Sequence, residues 1–185
     1  MNKATTPQLF SLNSVRLTSG VNWLKNKHSS TADSYHSLGV TQHALGDFTS
    51  AIKSKQRALQ IRSKLFGKEH SSTADSCHSL GVTQHALGDF TSAIQSAQHA
   101  LHIRRKLSGE EHSSTADSYH LLGVTKHALG DSASALQSTQ RALDIRRKMI
   151  GEEHPKTANS QRSLQVTQKE ISRAGNGLNI RHDLE

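Results

Sequence analysis

The sequence has little of what staples, kinks or thickens a protein: one cysteine, two prolines and 4% aromatic residues in 185 positions. A lone cysteine, Cys77, excludes an intramolecular disulfide and suits a reducing compartment, which points to the cytoplasm. No apolar run approaches the roughly 20 residues that cross a membrane, and the N-terminus lacks the apolar core of a signal peptide. Residues 1–32 are Ser/Thr-rich and carry no acid, which echoes a mitochondrial transit peptide, but only Lys3 and Arg16 are basic among the first twenty. Also missing are the Gly-x-x-x-x-Gly-Lys-Ser/Thr phosphate loop, the Gly-x-Ser-x-Gly elbow and His-Glu-x-x-His. Neither an enzyme nor a cofactor is indicated.

The net charge of +8 would fit a nucleic-acid binder, so its location decides its meaning. Residues 1–27 carry +4 and 28–69 carry +3, whereas 70–111 and 112–153 come to −1 and 0, and 154–185 add +2. The excess sits toward one end, is not repeated, and has no interleaved aromatics on which bases would stack. No nucleic-acid partner is expected.

What the chain does have is repetition. The stretch beginning HSSTADSYHSLGVTQHALGDFTSAI at His28 returns at His70 and His112, and a decaying copy starts at His154. Each start is 42 residues after the last, and the first two copies differ at 8 of 42 positions without an insertion. A fixed period in this range means stacked repeats that share one elongated core. The units are 28–69, 70–111 and 112–153, then a partial copy at 154–173 that ends as a capping helix. Residues 174–185 are expected to be a flexible tail. Residues 1–27 read either as the worn second helix of an upstream unit or as a disordered lead-in, with the worn helix favoured.

Each unit encodes two helices. The first spans about Thr31 to Leu45, with Ser30 as the expected N-cap and Asp33 near the positive helix start. Gly46 tolerates the positive φ of a C-cap, and Asp47 caps the next helix. The second runs from about Phe48 to Leu65, with Ala51, Ala58, Leu59, Ile61 and Leu65 on its apolar face and Arg62 and Lys64 opposing the helix dipole. One such pair cannot cover its own apolar face, so neighbours must stack.

The residues Tyr35, Leu38, Gly39, Gly46, Phe48, Ala51, Ala58 and Leu59, at these spacings, resemble the tetratricopeptide repeat. The 42-residue form, with Ala-Leu-x-Ile-Arg-x-Lys and the His154-Pro155-Lys156-Thr157-Ala158 opening, resembles kinesin light chains and nephrocystin-3-like proteins. The resemblance implies an all-α fold, a right-handed α-solenoid of helix-turn-helix repeats. It also implies a non-enzymatic scaffold that binds a peptide or helix of another protein in its concave groove. The alternative is a structural spacer, or a self-associating fragment of a longer array. Departures from the family pattern are Gln42 in place of the usual aromatic, Ser132 in place of Phe48, and Gln165 in place of the glycine in the fourth copy.

The thirteen histidines are the unusual feature. His36, Val40 and His43 share one helix face and recur as His78, Val82, His85 and as His120, Val124, His127. By the resemblance these positions face the groove, with Asp33, Asp75 and Asp117 along one edge. Three readings stand open: passive surface or inter-helix histidines, imidazoles that contact a partner segment and favour acidic ones below about pH 6.5, and a metal site. The last is disfavoured because His36 and His43 lie about 10.5 Å apart along the helix, too far for one zinc. The spacer histidines 28, 70, 112 and 154 are expected in turns, bonded to nearby backbone.

Overall fold

The computed structural model describes residues 28–182, with side chains described to Arg173; the segment 1–27 and residues 183–185 lie outside the described residues. Seven helices and no strand are found among them: α1 (28–44), α2 (Phe48–Phe66), α3 (Ser71–Leu87), α4 (Phe90–Ser108), α5 (Ser113–Ala128), α6 (Ser132–Ile150) and α7 (Pro155–His182). From α2 onward each helix packs on the next in sequence, and the first helices also touch their own kind, α3 on α5 and α5 on α7. The result is an α-solenoid of helix pairs closed by a single helix.

The turns within pairs follow the sequence. Gly46, Gly88 and Gly130 adopt φ of 80°, 89° and 92°, a left-handed conformation that glycine takes without strain. The following Asp47, Asp89 and Asp131 then accept from the backbone N–H of Ser50, Ser92 and Ser134. The start of the first helix differs from expectation. α3 and α5 begin at Ser71 and Ser113, capped by His70 and His112, whose Nδ1 accepts from the N–H of Ser72 and Ser114. His154 does the same for Lys156. The serine equivalent to Ser30 therefore lies inside the helix, because the imidazole two residues earlier already satisfies the free N–H. At the other end α7 runs from Pro155 through Gly175 and Gly177 to His182. Glycine costs a helix about 1 kcal/mol per residue and does not by itself stop one.

The core is thin and built on alanine. Ala51, Ala58, Ala93, Ala100, Ala135 and Ala142 are fully buried, so paired helices approach closely. Leu80, Leu122 and Leu164 fill the space beside them, each 4–6% exposed. Where the usual aromatic is missing, a polar pair stands in: Ser54 and Ser96 donate to Gln42 and Gln84 at 2.7 Å.

Adjacent pairs meet at three seams, and one arginine spans each. Arg104, on α4, donates to Asp75 of α3 (2.9 Å) and, across the seam, to the Ser118 hydroxyl and the Ser114 carbonyl of α5 (both 2.9 Å). Arg62 and Arg146 repeat the arrangement with Asp33 and Ser76, and with Asp117 and Ser160. The recurring basic residue at the end of the second helix is thus a clamp between three helices, more than a complement to a helix dipole. A second tie, from Lys106 to Glu69 and Lys148 to Glu111, joins successive units at the surface.

The seams differ at one buried slot. In the first, Lys55 is 3% exposed; its stem crosses Gly39 and its ammonium donates to the Ser79 carbonyl (3.1 Å) and the Thr83 hydroxyl (2.6 Å). In the second, alanine stands at 97, and Leu121 packs toward Gly81 from the other side. In the third, Thr139 faces Ser163 and a pocket of about 210 Å³ remains.

Candidate functional site

The first helices α1, α3, α5 and α7 carry the residues singled out in the sequence, and their face bears a groove of about 260 Å³. His78 and Val82 of α3, Asp117, His120, Leu121 and Val124 of α5, Arg146 of α6 and Lys156 of α7 line it. Five of these are sequence candidates. Val40 and Val82 are exposed and Val124 is half-buried. Sequence reasoning missed Leu121, Arg146 and Lys156. Lys156 joins because α7 brings it 2.9 Å from Asp117, 39 residues away in the chain; the one available signal was its place in the copy of the repeat opening.

The aspartates are not free. Asp33, Asp75 and Asp117 each accept from the clamp arginine of their own unit at 2.8–2.9 Å. Asp33 and Asp75 keep about three-fifths of their side chains in solvent, whereas Asp117 is largely covered. Burial works against the Asp117 carboxylate, but hydrogen bonds from Lys156 and Arg146 outweigh it and hold its pKa below the ordinary value. With Arg146 and Lys156 against one carboxylate, the groove is net positive at that point.

The histidines sit half-buried and turn Nδ1 into the seams. His85 Nδ1 lies 3.1 Å from the Thr125 hydroxyl, His120 Nδ1 3.3 Å from Ser160, and His127 Nδ1 3.3 Å from Thr167, each partner on the next first helix. His36, His43 and His78 bury Nδ1 without a hydrogen-bond partner. At Ser160 the donor logic is readable: Arg146 donates to its oxygen, which frees its own hydrogen for His120 Nδ1 and leaves the imidazole proton on Nε2. His43 and His85 also pack on Phe48 and Phe90, with centroids 5.2 and 5.4 Å apart. In the third unit Ser132 supplies no ring, and His127 Nε2 instead lies 3.5 Å from Glu170.

Burial governs how these rings titrate. It pushes His78 and His120 down to about 4, with Arg104 and Arg146 adding to the effect, and lowers His36, His43 and His85 as well. Of the readings left open for these rings, charging below about pH 6.5 is disfavoured at His78 and His120, because their burial penalises the imidazolium. Cys77 is buried, and burial raises its thiol to about 11, so it is not a nucleophile at neutral pH. Among the described residues no group of three or more His, Cys, Asp or Glu is placed to hold a metal ion, and no helix is long and apolar enough to cross a membrane.

The comparisons with known proteins agree with this geometry. The tetratricopeptide repeat family model matches residues 30–106 and 91–148. A Podosopora anserina protein of kinesin light chain type, with nearly identical TPR-like repeats, superposes with TM-score 0.72 at 23% identity over 84% of this chain and 74% of that one. BtubC (BKLC) from P. vanneervenii gives 0.63 at 22% identity, over 80% of this chain and 64% of that one. The first TPR of Spaghetti (RPAP3), bound to the HSP90 peptide SRMEEVD, gives 0.57 at 14% identity over 78% and 95%. At these identities the likeness is one of fold. No curated protein matches the sequence.

Proposed function

The chain belongs to the tetratricopeptide repeat family, and from that premise we propose that it is a non-enzymatic scaffold holding a short peptide or helix of another protein along its first helices. The fold is one typical of protein-interaction scaffolds. The observation that carries the finer reading is the groove between α3, α5 and the start of α7, where exposed Val82 and half-buried Val124 offer apolar contact beside a net positive rim. A partner segment with an apolar side chain and a nearby carboxylate fits that chemistry: the apolar group on the valines, the carboxylate toward Lys156. His78 and His120, neutral at physiological pH, act as hydrogen-bonding walls and not as charge switches. A free, buried Cys77 supports a reducing, cytoplasmic setting.

The test is peptide-display selection on the full chain, repeated with Val82→Glu and Lys156→Glu, and with His102→Glu on α4 as a control on the second-helix face. Selected peptides are expected to bind the two groove variants at least tenfold more weakly and the control unchanged. Equal binding to all four proteins would sink the groove.

Self-association is the second reading. Leu38 is 47% exposed where Leu80, its counterpart one unit on, is 6%, and Leu45 is 80% exposed. Sedimentation velocity across a hundredfold concentration range decides it: Leu38→Lys should abolish any concentration-dependent species, and a monomer throughout removes this reading.

A further inference from the structure

The pocket in the third seam has an internal precedent. Six of its lining residues, Gly123, Val124, His127, Ser163, Val166 and Thr167, stand two repeats after Gly39, Val40, His43, Ser79, Val82 and Thr83, of which Gly39, Ser79 and Thr83 touch Lys55. The remaining two differ: Thr139 stands at the Lys55 position and Arg162 at the His78 position. In the first seam this framework encloses an alkylammonium, bound by the Ser79 carbonyl and the Thr83 hydroxyl. The bond between the two acceptors is kept, Thr83 donating to Ser79 O at 3.2 Å and Thr167 to Ser163 O at 3.0 Å, while His127 Nδ1, 3.3 Å from Thr167 Oγ1, is an added neighbour that His43 is not to Thr83. The side chain at the Lys55 position has been shortened to Thr139, and a pocket is open beside it.

We propose that this pocket takes a primary alkylammonium group, the side chain of a lysine on the segment held in the groove. The ammonium would donate to Ser163 O and Thr167 Oγ1 as Lys55 does to their counterparts. Thr139 Oγ1 has no hydrogen-bond partner, but it packs against Gly123 and is closed off from the pocket, so the ammonium's acceptors are those of Ser163 and Thr167 alone. Val124 lines both the pocket and the groove, so one bound segment can reach both, and Val166 at the rim is half exposed. Charge at the rim is divided. Arg162 opposes a cation, while Glu170, 3.5 Å from His127, favours one; Arg162 and Glu170 are exposed and screened by solvent. The second seam takes no such group, because Leu121 occupies the region beside Gly81.

The source of the lysine rests on the scaffold reading, so the test has two arms. In the first, n-butylammonium is titrated into the full chain with the methyl groups of Val124 and Val166 followed by NMR, and n-butanol is the uncharged control. Saturable shifts at roughly millimolar affinity are expected, about tenfold weaker for the alcohol. They should vanish in Thr139→Lys, which fills the pocket from within, and in Ser163→Leu, which copies a side chain the second seam already holds. Equal response to both ligands, retention of the shifts in either folded variant, or no shift at about 50 mM overturns the proposal. In the second arm, the lysine of a display-selected peptide is replaced by norleucine, with about a tenfold loss expected. Selected peptides indifferent to that change leave the groove standing and overturn the lysine pocket. Binding of n-butylammonium with no peptide selected does the reverse, removing the groove while the pocket's chemistry stands.

Discussion

The second and third seams share a frame and differ where two side chains face each other. Between α3/α4 and α5, Leu121 reaches toward Gly81 beside Ala97, and the junction is closed by hydrocarbon. Between α5/α6 and α7, Ser163 and Thr139 are both short, so the same frame holds a pocket and a buried hydroxyl without a partner. The first seam solves the problem a third way, with a long lysine against a short serine. One scaffold thus tolerates a long–short, a short–long and a short–short pair. What distinguishes an interior joint from a binding pocket here is a single side-chain length.

Acid should strain the seams most. His78 faces the second seam and His120 the third, and both sit at about 4 in the folded chain against about 6.5 when unfolded. Between those values the unfolded chain takes up protons and the folded one does not. Stability is therefore fully present above pH 6.5 and is lost as pH falls toward 4, on the order of 3 kcal/mol per histidine. Urea unfolding by circular dichroism at pH 7, 5.5 and 4.5 reads this, and His78→Gln with His120→Gln should flatten the slope. A flat wild-type profile would mean that water reaches these rings.

Next in size, Leu121→Ala would turn the second seam into a copy of the third, at a cost of about 2–4 kcal/mol. Hydrogen exchange is the suitable readout, because repeat arrays open locally; protection should fall in α3, α4 and α5 before α1. Loss confined to α5 alone would contradict a shared seam core. Arg104→Ala, which removes the clamp's bonds to Ser118 and Ser114, should cost about 2 kcal/mol. Arg104→Lys should recover little of it, since an ammonium lacks the planar fork that spans three helices. If lysine restores full stability, charge and not geometry holds the joint. The smallest effect sharpens the contrast in the other direction: Thr139→Ala with Ser163→Leu should close the third seam and raise stability by about 1 kcal/mol. Thermal melts of the single and double variants would show the two changes acting together and not additively.

Much of this was legible in the residues. Gly46-Asp47 and its two copies announce a stop and a restart, Ala51 and Ala58 mark a close helix contact, and the 42-residue period requires stacking. The concave-face candidates were legible only as a face. That Asp33, Asp75 and Asp117 are held by arginines, and that the histidines turn into seams, depends on partners 29 to 40 residues distant. The spacer histidines were expected to bond nearby backbone and His70, His112 and His154 do; their role as N-caps escaped because serine is the commoner cap and stood two residues away.

The sequence by itself determined the helices, their turns and the need for neighbours, because these follow from periodicity and local backbone preference within about twenty residues. The tertiary structure alone decided which polar groups are spent on joints and which remain for a partner. Near-identical copies present the same frame at every seam and differ at the slot, with Lys55, Ala97 and Thr139 at one position and Ser79, Leu121 and Ser163 at the other. Only when α3, α5 and α7 are laid side by side does it emerge that Lys55 closes one slot, Leu121 closes the next, and the third stays open.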